Sequence, residues 1–309
     1  MDKVVTIAQV IVPMLAAVFL GILARWKKLL TPEENQGLQK FVIKFGLPCV
    51  IFNSCLSANI GAESLTSIAM ILPWCIASSL WSYRACKKAF PFHNLPMLFS
   101  AQETGMLGIP LYMILFGVDQ AYRMGVLDLA QAVTAYPAIA ILTSAGSASP
   151  SLGGILKKIV TSPLMIVSAL GLTLNLTGAS DWLSTVGLLG IITESTGFMA
   201  QPVSAMMIFS VGYNFSLDKE NRRTIFKIAS IHLGWFALAG VVIQGLLFLI
   251  PGVDPLTRWA LLLFCALPAS YLAPTMGKNT KDSTIASGVC SLLTVVTLVV
   301  FCILAAVAA

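Results

Sequence analysis

Charge is what this sequence has least of. Only 10 % of its 309 residues are Asp, Glu, Lys or Arg, whereas 57 % are hydrophobic. A soluble domain carries roughly 25 % charged residues, so this chain has too few to cover a water-facing surface. That excludes a soluble enzyme and a nucleic-acid-binding protein. Disorder, which needs low hydrophobicity and high charge, is excluded as well. Histidine is nearly absent: His93 and His232 stand in different segments, which leaves little for a histidine metal site or a catalytic triad. The seven cysteines (Cys49, Cys55, Cys75, Cys86, Cys265, Cys290 and Cys302) are odd in number and mostly lie in apolar stretches. They form no C-x-x-C pair and read as small buried hydrophobes. No paired Asp residues, and no Ser with a neighbouring base, suggest intramembrane catalysis. No cofactor and no metal are expected.

What the chain does have is long apolar runs. A spanning helix needs about 20 apolar residues, and ten such runs with short connections account for the length. They cover 4–24, 41–58, 64–83, 96–117, 124–145, 159–177, 195–216, 225–250, 257–276 and 284–307, and are numbered segments one to ten. Segment one is followed by Arg25, Lys27 and Lys28 without a small-residue cleavage pattern, so it is expected to stay as a span rather than leave as a signal peptide. The longest connection, 178–194, carries Trp182, Leu183, Val186, Leu188 and Leu189 and is expected to lie as an interfacial helix.

The basic residues set an orientation. Arg25, Lys27, Lys28, Lys40, Arg84, Lys87, Lys88, Lys157, Lys158, Lys219, Arg222, Arg223, Lys227, Lys278 and Lys281 fall on one side of the ten segments; Lys3, Arg123 and Arg258 fall on the other. The positive-inside bias puts both termini outside and supports an even number of spans. It also accounts for the formal charge of +6, although the basic loops can attract anionic lipid headgroups too.

Prolines reveal an internal repeat. Pro13 and Pro163, Pro48 and Pro202, and Pro110 and Pro268 recur at a nearly constant offset close to half the chain. Each half holds five segments, an odd number, so the second half enters from the opposite side. Such inverted repeats are a mark of secondary transporters. The halves are 1–145 and 159–309, joined by a cytoplasmic connection at 146–158. Segments four and nine are the most informative. Gly105, Gly108 and Pro110 fall near the middle of segment four, and Pro268 and Pro274 flank a short polar stretch in segment nine. Both segments are expected to be non-helical, near 105–110 and 268–274, and to approach each other. Unsatisfied backbone is tolerated in a membrane only where it is buried in protein or lines a cavity, and broken half-helices present amides to anions.

The stretch GMLGIPLYMILFG, the preceding QET, and LPASYLAP followed by TKDSTIASGVCSLLTVVTL resemble the auxin efflux carrier family, whose members include the PIN-type carriers of plants and ten-span bacterial transporters. The resemblance extends over essentially the whole chain. It implies an all-α membrane protein of ten transmembrane helices in two inverted five-helix repeats, with broken helices four and nine crossing, as in bile-acid symporters and sodium–proton antiporters. It also implies a secondary active transporter of a small organic anion, a carboxylate, in the bacterial cytoplasmic membrane, and a homodimer. The sequence departs from the family at the crossing. Glu103 stands where Asn is common, and Ser270 and Tyr271 stand where Asn often follows the segment-nine proline.

The candidate substrate-binding residues are Gln102, Glu103, Thr104, Gly105, Gly108, Pro110, Gln201, Pro268, Ser270, Tyr271 and Pro274, with Thr275 alongside. Glu103, an acid well inside an apolar segment, is a functional residue by default. Its carboxyl is held there either by a cation or in its neutral form. Lys44, at a similar depth in segment two, is the nearest cation in sequence logic, and the two are the candidate ion-coupling residues. If they pair, room is left for an anion. If they do not, Glu103 becomes the site of proton or sodium coupling, and the solute is neutral or zwitterionic. Asp128 is expected at the interface. Ser283, Ser287 and Ser291 are expected to pack against a neighbouring helix.

Overall fold

The computed structural model describes residues 2–56, 61–86, 90, 92–143, 153, 160–161, 163–215, 220–276 and 279–308. Lys87, Lys88, Lys157, Lys158, Lys219 and Lys278, and the connection 146–158 apart from Gly153, lie outside the described residues. The described part is helical, with one isolated antiparallel bridge.

In chain order the helices are α1 (Asp2–Trp26), α2 (Pro32–Phe41), α3 (Leu47–Leu56), α4 (Ala62–Trp81), α5 (Met97–Ser100), α6 (Ile109–Phe116) and α7 (Ala121–Thr143). They continue with α8 (Pro163–Leu176), α9 (Ala179–Thr185), α10 (Leu188–Ala200), α11 (Val203–Asn214), α12 (Arg222–Phe248), α13 (Pro255–Ala266) and α14 (Thr280–Ala308). Each apolar segment of the sequence has helix in it. Among the described residues, three helical stretches, Glu63–Arg84, Arg222–Phe248 and Thr280–Val307, are long and apolar enough to cross a membrane by length and composition. A fourth is added if Ala179–Thr185 and Leu188–Asn214, bent by 102°, count as one span.

Local chemistry sets the helix ends. Thr31 and Glu34 close a reciprocal capping box ahead of Pro32 at the start of α2, a strong start signal. Asp254 caps α13, accepting from the Leu256 amide at 2.9 Å. Proline acts differently at its several places. Pro13 and Pro73 sit inside continuous helices. Pro48 cannot donate to the Lys44 carbonyl, and the chain widens into a π-helical turn over Val42–Gly46 just before it. Pro110 follows a π-helical turn over Thr104–Gly108 in the same way, inside a continuous helical stretch.

Two groups of helices result. In the first, α1 packs along α11, and α3 along α8 and α10. The α1–α11 seam is backbone against backbone. A Cβ on Gly21 would sit 2.0 Å from the Phe209 carbonyl oxygen, and one on Gly212 2.1 Å from that of Val18. Arg25 closes the end of this seam by donating to the Phe215 carbonyl at 2.8 Å. In the second group, α4 packs on α7, and α12 on both α13 and α14. Its helix starts are clamped by Arg123, which pairs with Glu63 at 2.9 Å and with Asp254. The groups touch where α11 meets α6 and where α3 meets α7. There Ser54 accepts from the Tyr122 amide at 2.6 Å.

One expectation is corrected. The interfacial stretch is only Ala179–Thr185. Gly187, at a φ of 75°, turns the chain, and the next helix already starts at Leu188 rather than near 195. Leu188, Ile191 and Phe198 are exposed, an apolar face suited to lipid.

Candidate functional site

The two broken segments meet. In segment four the helix stops at Ser100, and the chain runs extended from Ala101, at φ −149° and ψ 139°, through Gln102 before Glu103 turns it at φ −81° and ψ 66°. In segment nine α13 stops at Ala266, and the chain runs extended before a 3₁₀ turn at Ala273–Met276. The two extended pieces pair antiparallel, Gln102 opposite Ala269. The Glu103 amide donates to the Pro268 carbonyl at 2.8 Å, and the Ser270 amide to the Ala101 carbonyl at 3.0 Å. Two buried stretches that helices cannot satisfy thus satisfy each other.

The break in segment four lies earlier than the sequence suggests. Residues 104–108 form a π-helical turn that runs straight into α6, so the second half-helix begins at Thr104 and Pro110 stands inside it rather than in the gap. Gly108 packs closely: a Cβ there would meet the side-chain ends of Leu267 at 2.7 Å and Met124 at 2.9 Å. Gly105 lies open, with Leu47 3.9 Å from where its Cβ would be.

Side chains from the flanking helices complete the crossing. Gln131 on α7 accepts from the Gln102 amide at 2.8 Å, and its own nitrogen lies 3.0 Å from the Gln102 carbonyl and 2.7 Å from the Thr104 hydroxyl. Asp128, one turn earlier on α7, accepts from the same nitrogen at 2.9 Å. Thr134 on α7 donates to the Ser100 carbonyl at 3.2 Å, and Thr297 on α14 to the Ala266 carbonyl at 2.6 Å. With its amide nitrogen turned toward them, Gln102 donates to the carbonyls of Pro268 at 2.9 Å and Leu267 at 3.0 Å.

Glu103 is 7 % exposed. Its carboxyl accepts from the Tyr271 amide at 2.5 Å, and the Ser270 side chain and the Met106 backbone also hydrogen-bond it. The Tyr271 hydroxyl is in turn 2.7 Å from that of Thr294 on α14. The carboxyl therefore occupies backbone amides at the start of a half-helix, the position suited to an anion. Lys44 does not pair with it. Lys44 is exposed on the π-helical turn before α3, while Glu63 and Asp254 form ion pairs, both with Arg123. Equal depth along two helices is not proximity, because each helix also chooses which face turns inward.

The structure brings together Gln102, Glu103, Thr104, Gly108, Pro268, Ser270 and Tyr271. Pro274 lies in the 3₁₀ turn beyond, and the Thr275 side chain is outside the described residues. Gln201 is exposed at the α10–α11 junction, lining a cavity of about 440 Å³ with Thr193, Glu194 and Gly197, and has no bond at the crossing. Asp128 and Gln131 were missed. Their signal was a polar pair at i and i+3 on one face of an apolar helix. Among the described residues no three His, Cys, Asp or Glu side chains are placed to hold a metal ion.

Residues 4–147, which include Glu103, Asp128 and Gln131, match the family model for membrane transport proteins. Over these residues the chain is similar to the auxin efflux carrier and membrane transport protein family. No curated protein matches it. The match and the apolar helices together point to an integral membrane protein of the transport class. The matched stretch ends within the connection that follows α7, so segment nine's part of the crossing lies beyond it.

Proposed function

We propose that the chain is a ten-span secondary transporter, with 1–145 and 159–309 as inverted repeats joined by 146–158, that moves a small organic solute by alternating access at the crossing. Helix pairing supports the repeat. Segment one packs on seven and two on six, each repeat exchanging its first two helices with the other. Thr134 and Gln131 in segment five serve break four as Thr297 and Thr294 in segment ten serve break nine, at the same offset. Segments one, two, six and seven form the scaffold, and the remaining six form the bundle that moves. The split of Lys and Arg supports both termini lying outside a bacterial cytoplasmic membrane. Reporters after Lys158 and at Ala309 are then expected on opposite sides.

The observation that carries the reading of the site is the Glu103 carboxyl on the Tyr271 amide. It fills the position an anionic substrate would claim, and Asp128 stands nearby without a basic partner. This favours a proton- or sodium-coupled carrier of a neutral or zwitterionic solute, with Glu103 as the coupling group. A second reading, a carrier of a small organic anion such as a carboxylate, draws on the family and on the amides that Glu103 would free on protonation.

The test is uptake into proteoliposomes from a panel of labelled carboxylates, amino acids and neutral solutes, at several pH values, with and without a sodium gradient. Saturable uptake with counterflow is expected, driven by one of the two cations, and Glu103→Gln should fold but lose that dependence. An unchanged pH and sodium profile in Glu103→Gln would make Glu103 structural only. Uptake confined to carboxylates would select the second reading, and non-saturable flux would indicate a channel.

A further inference from the structure

His232, on α12, is 1 % exposed and plays no part in the site as described so far. Its Nδ1 lies 2.9 Å from the Leu98 carbonyl. A carbonyl only accepts, so this nitrogen carries the proton. The Leu98 carbonyl needs a donor because α5 ends two residues later. The amide four residues on, that of Gln102, goes to Gln131 instead, so Leu98 is an orphan of the helix end. The ring also meets the backbone of Leu267, where the break in segment nine begins. Packing fixes the ring in place: Phe99 and Phe236 lie against it, with ring centres 5.4 and 4.6 Å away. Phe99 in turn abuts Trp81, which stacks on Trp235 at 4.7 Å, and Trp235 donates to Ser78 on α4 at 2.7 Å.

We propose that His232 is a positioning residue of the crossing: its Nδ1–H holds the first half of segment four in register, and so sets where residues 101–103, and Glu103 with them, meet segment nine. One side chain from segment eight thereby reaches the ends of both half-helices that enter the crossing. The inference concerns the geometry of the crossing and depends on the transport reading only for its consequence, so the test reads geometry and needs no substrate.

Gln102 and Ala269 are opposite each other in an antiparallel pair whose bonds run between their neighbours. In that arrangement the two Cα atoms are about 4.5 Å apart, within disulfide range. The full chain carrying Gln102→Cys and Ala269→Cys is reconstituted in lipid nanodiscs and oxidised with copper phenanthroline, and the cross-link is identified by peptide mass mapping. Ile51→Cys with Gly125→Cys, where α3 meets α7, serves as the remote pair. His232→Leu is expected to slow the 102–269 cross-link by about fivefold, the worth of one buried hydrogen bond, and to leave 51–125 unchanged. His232→Asn, which keeps a donor near the Nδ1 position, is expected to restore the rate. An unchanged 102–269 rate in His232→Leu overturns the proposal, as does failure of His232→Asn to restore it. If His232→Leu loses both cross-links through misfolding, His232→Asn decides: recovery of 102–269 supports the donor role, and no recovery overturns it.

Discussion

Among the described residues, backbone meets backbone along one helix seam and at the crossing, by opposite means. Along the α1–α11 seam the chains approach because side chains are missing: Gly21 and Gly212 leave no room for a Cβ. At the crossing they approach because side chains are present. Gln131, Thr134, His232 and Thr297 supply the bonds that broken helices give up. The seam is therefore intolerant of added volume, and the crossing is intolerant of a lost donor or acceptor. One is suited to a fixed frame. The other can be taken apart and remade bond by bond, as a site that must change shape requires.

That contrast is open to attack from its strongest side first. Gly212→Leu puts a branched side chain where even a Cβ lies 2.1 Å from a carbonyl oxygen. It is expected to cost about 3 kcal/mol or more, seen as aggregation in gel filtration and a large drop in thermal stability in detergent. Wild-type behaviour would mean that the seam is not close-packed. Gln131→Leu comes next. It keeps the volume but strips both backbone groups of Gln102 and the Thr104 hydroxyl of a partner, at about 2 kcal/mol. Hydrogen exchange should accelerate at residues 101–104 and stay slow in α1 and α11; acceleration in both regions would erase the distinction. Thr134→Val and Thr297→Val each remove one hydroxyl and are expected to cost about 1 kcal/mol, similar to each other and recovered by serine. A large inequality between them would break the equivalence of the two halves. Smallest is Lys44→Gln, expected within about 0.5 kcal/mol of wild type with no change in the pH dependence of uptake. A clear shift would restore the pairing with Glu103 that the geometry denies.

Much of this architecture is legible in the sequence because membrane helices carry their signal in plain composition. The apolar runs place the helices, and Pro268 with the Gly105–Pro110 region announces two breaks that must satisfy each other. The finer placement was not legible. Pro110 suggests a gap at its own position, yet a π-helical turn before it absorbs the missing N–H, and the gap lies at residues 101–103. Asp128 looked interfacial because depth was counted from the end of an apolar run, whereas what matters is the face it shares with Gln131. His232 offered no pattern at all: a single histidine in an apolar helix signals nothing until the carbonyl in front of it is known.

The glycine seam also has a consequence in time. Arg25 and the Phe215 carbonyl it holds are 190 residues apart in the chain. At a synthesis rate of about 5–20 residues per second, α1 is made roughly 10–40 s before its partner helix emerges. Throughout that interval its glycine face is in contact with lipid or with whatever helix the insertion machinery offers. α1 thus waits for its partner while all the helices between them are made, and assembly of the frame depends on residues beyond 200.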